Sequence, residues 1–455
     1  LNAKKNSSRT WLWALLALLL IVPSTVLLIK RMEGQPPTML LDLKSAALGA
    51  GQELTLTVED DQTGIREVWV ALYKDGKETV LLEKVFPSAN IISGGAVRTK
   101  TITVAVDPKT RGIKDGKAVL RLVTRDYSWR KWGDGNQRYE EHAVMIDTQA
   151  PGIDVLDAAL NLAQGGAGVV IYTLSEECPT SGVRVGDRFY PGRGGHFKDP
   201  MTHMAFIALA HDQGKNTSIT VSATDFAGNE GTAGAPHHIN AKRFRRDTIT
   251  IGDNFLNAKM PEFRSQVAAG GDASPLDVFL SVNRDLRRRN YETISTATVK
   301  TDPKIYWKGV FGRLPGAANR AGFADHRNYV YEGKSIDKQI HLGIDLASLQ
   351  HSPVPAANAG KVVFAEPLGI YGRAVIIDHG FGLFSMYAHL SQIAVAVDQV
   401  VAKGDILGKT GKSGLAGGDH LHFSMLVHHT FVNPVEWWDA KWIENNIQSK
   451  IDAAE

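Results

Sequence analysis

From 11 to 29 the chain carries no charge, with Lys4, Lys5 and Arg9 before the run and Lys30 and Arg31 after it. A helix of that length rises about 28 Å, close to the hydrocarbon thickness of a bilayer. The run therefore predicts a membrane-spanning helix. Val26-Leu27-Leu28-Ile29-Lys30-Arg31 offers no small-x-small cleavage site, which favours a retained anchor over a cleaved leader. Pro23 and Ser24 interrupt the run and predict a kink or a signal-like end. Basic residues flank both sides, so charge decides orientation only weakly.

Beyond the anchor the period changes to two. Glu53-Leu54-Thr55-Leu56-Thr57-Val58 and Glu67-Val68-Trp69-Val70-Ala71-Leu72-Tyr73 alternate polar and apolar positions, as strands with one buried face do. Lys74-Asp75-Gly76 and Lys114-Asp115-Gly116 supply turns at spacings suited to a small antiparallel sandwich. Asp147-Thr148-Gln149-Ala150-Pro151 reads as a short extended joint. A second strand-rich module follows, ending in Thr224-Asp225-Phe226-Ala227-Gly228-Asn229-Glu230, with a matching place at Val123-Thr124-Arg125-Asp126-Tyr127. With the Ala-Pro joint, this pattern resembles bacterial immunoglobulin-like repeats, which the resemblance casts as spacers or binding modules.

Between 242 and 304 the pattern turns helical, around 260–268 and 275–289. Asp272-Ala273-Ser274 ahead of Pro275 forms a helix entry, and Leu276, Phe279, Leu280, Val282 and Leu286 give an apolar face at helical spacing. A connector packed on the following domain is expected. Arg287-Arg288-Arg289 reads as a solvated helix end.

Composition narrows the class. A formal charge of +3 over 455 residues, with Lys and Arg scattered among Asp and Glu, excludes a dense basic stripe and argues against nucleic acid. The single cysteine, Cys178, makes neither an intrachain disulfide nor a thiolate metal site.

The chemistry lies near the C-terminus. In His341-Leu342-Gly343-Ile344-Asp345 and His420-Leu421-His422-Phe423 the polar residues are an even number of positions apart, so in strands they share one face while Leu342, Ile344, Leu421 and Phe423 face the core. Imidazole and carboxylate are zinc ligands, and three of them leave a fourth position open. His341, Asp345 and one histidine of the second pair make such a set. Spacing alone leaves a metal site and a plain solvent-facing strand about equally open.

The surrounding blocks decide between them. Val354-Pro355-Ala356-Ala357-Asn358-Ala359-Gly360-Lys361-Val362-Val363, Val375-Ile376-Ile377-Asp378-His379-Gly380, Met386-Tyr387-Ala388-His389-Leu390-Ser391, Val400-Val401-Ala402-Lys403-Gly404-Asp405-Ile406-Leu407-Gly408-Lys409-Thr410-Gly411 and Asn433-Pro434 stand in order around the histidines. Over roughly 130 residues the chain resembles the lysostaphin-type (LytM-like) zinc endopeptidases. The resemblance implies that His341, Asp345 and His422 hold Zn2+, while His420 and His389 are catalytic, His420 as base and His389 as oxyanion stabiliser, two roles open to exchange. It implies peptidoglycan as substrate and an antiparallel β catalytic domain. His379 is read as structural. Residues 313–340 depart from the family's entry after Phe311-Gly312 by their length, and are expected to wall or cover the substrate groove.

The expected fold is mainly β: an anchor at 1–35, sandwiches at 36–150 and 151–240, a helical connector at 241–304, a zinc metallopeptidase domain at 305–440 and a tail at 441–455. The expected setting is the bacterial inner (cytoplasmic) membrane, crossed once, with the bulk of the chain in the periplasm. The competing class is a non-catalytic envelope protein that binds the wall and activates other hydrolases.

Overall fold

A computed structural model describes residues 7–156, 159–268 and 272–455. The fold is mainly β with one apolar N-terminal helix. Contacts divide the chain into two units. One holds the residues up to Pro151 together with Thr224–Glu230, and the other holds Gly152–Ala223 with Gly231–Glu455.

In the first unit, helix Ser7–Arg31 is uninterrupted through Pro23. Its apolar side chains are exposed, and it is long and apolar enough to cross a membrane. The alternating runs then form two sheets. One orders Thr38–Asp42, Gln52–Glu59 and Thr99–Val106; the other orders Ala47–Leu48, Gln137–Ile146, Gly116–Asp126, Ile65–Lys74 and Lys77–Val85. Leu54, Leu56 and Val58 from the first sheet meet Val68, Val70, Leu120 and Leu122 from the second in one core. That is the outcome period-two patterning predicts for sheets with one wet face each.

In the second unit the strand module after Gly152, the helices and the C-terminal domain share a single core. Phe206 on strand Thr202–Ala208 meets Trp307 and Trp437, with ring centroids 6.3 and 6.4 Å away. The Tyr190 hydroxyl lies 3.0 Å from Thr430 Oγ1. Residues 241–304 include a strand, Arg246–Thr250, which pairs in parallel with Asp325–Tyr331. The C-terminal stretch is helical, and Ile443, Ile447 and Ile451, spaced four apart, are buried.

The helix entry at Ser274 is realised: its side chain accepts from the Asp277 amide at 3.2 Å. The expected helix end at the arginine triplet is not. Helix continues through Arg287–Ala297, so the triplet lies mid-helix. Arg287 donates to Asn283 Oδ1 at 2.6 Å, Arg288 pairs with Glu292, and Arg289 donates to the Gln266 carbonyl.

The C-terminal domain is built on a sheet ordering Ala318–Ala321, Ile344–Ala347, Leu421–Val427, Leu383–Leu390, Arg373–Gly380, Gly360–Pro367 and Val400–Val401, with Thr430–Val432 added beside Leu421–Val427. The long segment before His341 is an ordered hairpin, Asp325–Tyr331 with Lys334–His341.

Candidate active site

Strand register assembles the site. Antiparallel pairing places Asp345 opposite His422, and the next strand places Ala388 on the other flank of His422, one residue before His389. Directly opposed residues in such pairs are close enough for their side chains to touch.

His341 arrives differently from expectation. It ends strand Lys334–His341 in one sheet, whereas Asp345 belongs to Ile344–Ala347 in another. An unbroken strand would hold residues four apart about 13 Å from each other. The break at Leu342-Gly343 instead brings His341 Nε2 to 2.9 Å from Asp345 Oδ1. Gly343 permits this turn: a Cβ there would lie 2.5 Å from both His422 Nε2 and Ser424 Oγ. The core-facing assignment holds for Ile344, Leu421 and Phe423, which are buried, while Leu342 is half-buried.

The outer nitrogen of each ligand-set histidine is committed. His341 Nδ1 donates to the Gly322 carbonyl at 2.8 Å. Ser424 Oγ donates to the Leu342 carbonyl at 2.8 Å and so accepts from His422 Nε2 at 3.0 Å. In neutral rings this leaves lone pairs on His341 Nε2 and His422 Nδ1, which lie 3.0 Å apart and each 2.9 Å from Asp345 Oδ1. Three acceptors facing one another at such distances repel unless a cation sits among them. The donor set, two imidazoles and a carboxylate with the outer nitrogens hydrogen-bonded, is the kind that holds zinc.

Electrostatics agree. Burial forces the His422 imidazole down to about 4, against the pull of Asp345, so the ring is neutral at pH 7. Burial would raise Asp345, but the adjacent imidazoles, His341 foremost and then His420 and His422, hold it well below the usual carboxylate range. Arg327 donates to Asp345 Oδ2 at 2.9 Å, on the oxygen the histidines leave open.

His389 and His420 stand beside this cluster, their ring centroids 4.8 Å apart. His389 has a left-handed backbone at φ 62° and donates from Nδ1 to the Ser413 carbonyl at 2.8 Å, leaving its Nε2 lone pair. Burial, then the neighbouring His420 and His422, hold it well below the ordinary histidine value. His420 donates from Nδ1 to the Gly418 carbonyl, and its Nε2 is 3.6 Å from Asp345 Oδ1. Burial pulls His420 down, but the hydrogen bond and charge of Asp345 outweigh it and raise the ring above its ordinary value.

All five residues line a cavity of about 350 Å³. Its walls come partly from outside the C-terminal sheet: Ile249 and Ile251, Phe279 and Arg287 of the helices, and Arg327 and Tyr329 of the hairpin. His379 lies elsewhere, fully buried between the Ala359 carbonyl and Ser385 Oγ, at 2.7 Å from each. Arg327, Ser424 and Tyr371, whose ring is 5.5 Å from His422, were absent from the sequence reading. Only Ser424 had a usable signal there, being two residues beyond His422 on the same strand face.

Residues 339–434 match Peptidase family M23. Over 97 residues the chain is 39% identical to the DD-carboxypeptidase/endopeptidase Mpg of Neisseria meningitidis serogroup B, an alignment covering 21% of this chain and 22% of that protein. It is 34% identical over 96 residues to the peptidoglycan DD-endopeptidase ShyA of Vibrio cholerae, again 21% and 22% of the two chains. The chain thus spans 22% of the length of each of these curated relatives. Among solved structures it is similar to a putative peptidase M23 from Pseudomonas aeruginosa, with 19% identity, 60% of this chain and 93% of that one covered, and a TM-score of 0.37. The histidine and aspartate cluster, its register and the matched segment coincide: residues 339–434 form a peptidase M23 domain.

Proposed function

We propose that this chain is a zinc-dependent endopeptidase that hydrolyses peptide cross-links of peptidoglycan. The observation that carries this reading is the convergence of three acceptor atoms, His341 Nε2, Asp345 Oδ1 and His422 Nδ1, within 3.0 Å of one another. Those three residues would hold the ion. When bound, zinc supplies a Lewis acid that polarises water and a peptide carbonyl at neutral pH.

The remaining residues have separable tasks. Arg327 fixes the orientation of Asp345 through its second oxygen. His389, neutral and with Nε2 unprotonated, is suited to take the proton of the attacking water. His420, whose Nδ1 donates to the Gly418 carbonyl and whose Nε2 faces the cluster 3.6 Å from Asp345 Oδ1, is suited to donate to the developing oxyanion. This exchanges the two roles expected from the motif. The peptide lies in the cleft between the C-terminal sheet and the wall formed by Tyr329 and Phe279. The apolar helix, read as a single-pass anchor, supports a location at the bacterial inner membrane with the bulk of the chain in the periplasm.

The test is zinc analysis together with digestion of purified cross-linked peptidoglycan by the full chain. Stoichiometric zinc and released uncross-linked peptides are expected. His389→Ala and His420→Ala should each keep the zinc and lose about 10²–10⁴-fold in rate. Zinc without cleavage by the unaltered chain would overturn the enzyme in favour of a wall-binding protein.

A further inference from the structure

The first unit carries a feature that the hydrolase does not use. Among its most exposed apolar side chains are Ile91 and Ile92, 68% and 59% exposed, and Trp132, which is wholly exposed. The isoleucines sit at the tip of the small hairpin Ser88–Asn90 with Gly94–Gly95. Asn90 Oδ1 accepts from the amides of Ile92 and Ser93 at 2.9 and 2.8 Å, so the turn that presents them is built by its own hydrogen bonds.

The position of this tip along the apolar helix is informative. Ile92 lines one groove with Pro23, Ser24, Val26, Leu27 and Lys30. Asp61 and Gln62 line another with Val26, Ile29 and Lys30. The apolar tip therefore reaches further from the charged end of the helix than the polar loop does. Residues 23–27 precede Arg31 by four to eight positions, about 6–12 Å along a helix axis. With Arg31 buried against the unit and exposed Lys30 at the headgroups, that depth is the boundary between headgroups and acyl chains.

The helix is also fixed to the unit where it leaves. The Arg31 carbonyl accepts from the Trp129 amide at 2.6 Å and from Ser128 Oγ at 3.2 Å. Arg130 Nε donates to the Met32 carbonyl at 2.9 Å, and Asn136 Nδ2 donates to Glu33 Oε1 at 2.9 Å. Directly after Arg130, Lys131 and Trp132 complete a basic and aromatic loop beside the helix end. Trp and basic side chains together suit a headgroup layer.

We propose that the first unit docks on the phospholipid surface, with Ile91 and Ile92 inserted at the headgroup boundary and Lys131 and Trp132 among the headgroups. The helix is then the axis of a rigid membrane contact and not a tether on which the unit swings. This rests on the reading of Ser7–Arg31 as a membrane span.

The experiment uses the full chain with Cys178→Ser, reconstituted in vesicles of phosphatidylethanolamine and phosphatidylglycerol. Single nitroxide labels are placed at Ile91→Cys, Ile92→Cys, Leu19→Cys in the helix and Lys77→Cys on an exposed strand start. Labels at 91 and 92 should relax with oxygen and be shielded from a water-soluble nickel chelate, as at 19, while 77 shows the reverse. All four positions are exposed, so labelling leaves the fold intact. If 91 and 92 behave like 77 while 19 stays shielded, the docking is overturned and the span stands. If 19 also behaves like 77, the span fails and the docking falls with it.

Discussion

At the scale of residues, the site depends on who holds Asp345. One carboxylate oxygen faces two histidine lone pairs and the other accepts from Arg327. Replacing Arg327 with Gln removes a charge-assisted hydrogen bond from Asp345, which as the proposed zinc ligand needs a fixed orientation. We expect zinc affinity to fall about 10–100-fold, measured by competition with a fluorescent chelator, with the fold unchanged by circular dichroism. Unchanged affinity would mean that the sheet alone positions Asp345. The five histidine and aspartate residues were legible in the sequence because their spacing and surrounding blocks are distinctive. Their convergence was not, because Leu342-Gly343 continues an alternating pattern and nothing in a one-dimensional period marks the place where a strand leaves one sheet for another. Arg327 was hidden for a related reason: its partner is eighteen residues away across two strands.

At the scale of elements, the helices of 253–297 are part of the cleft. Asn283 and Arg284 bind Asp337 of the hairpin at 2.7 and 3.1 Å, and Phe279 meets Tyr329 edge-on at 5.6 Å. Asn290 is buried, and its Oδ1 accepts from the Ile370 amide at 2.9 Å, beside Tyr371 and the ligand set. Asn290→Ala orphans that amide and should cost about 1–3 kcal/mol. Ser274→Ala, which removes only an exposed cap, should cost about 1 kcal/mol. Urea unfolding of residues 152–455 would order the two; equal losses would show that the Asn290 contact adds nothing beyond a cap. In the sequence the apolar period breaks at Asn290-Tyr291-Glu292-Thr293, which predicts a helix end near Arg289, whereas the helix runs on to Ala297. A buried asparagine satisfied from a distant loop leaves no periodic trace. Deleting 315–322 would remove the edge strand Ala318–Ala321 and the Gly322 carbonyl that orients His341, so it would disturb His341 as well as the wall.

At the scale of the molecule, the second unit folds around one core, and that core crosses every stretch that the sequence reading set apart after 151. A fragment beginning at 240 strips Phe206 from Trp307 and Trp437 and Tyr190 from Thr430. It should therefore aggregate or unfold where a fragment of residues 152–455 gives a cooperative transition, since losing one large aromatic from a core costs about 3–5 kcal/mol. Glu436 links the same two parts and supplies a sharper test. Its Oε2 accepts from the Ala167 amide at 2.9 Å, and burial raises its carboxyl to about 7 in the folded chain against an ordinary value of 4.5. The folded state thus holds this proton more tightly than the unfolded one. Its contribution to stability is complete below about 4.5, declines as pH rises toward about 7, and is lost above. The loss is on the order of 2–3 kcal/mol if the group is as shielded as its surroundings imply. Glu436→Gln keeps an acceptor for the Ala167 amide and removes the ionisation. Residues 152–455 with this substitution should gain stability over the native sequence at pH 8 and match it at pH 4. A gain of equal size at both values would place the effect in packing, and no gain at pH 8 would mean that water reaches Glu436 and lets it ionise without cost.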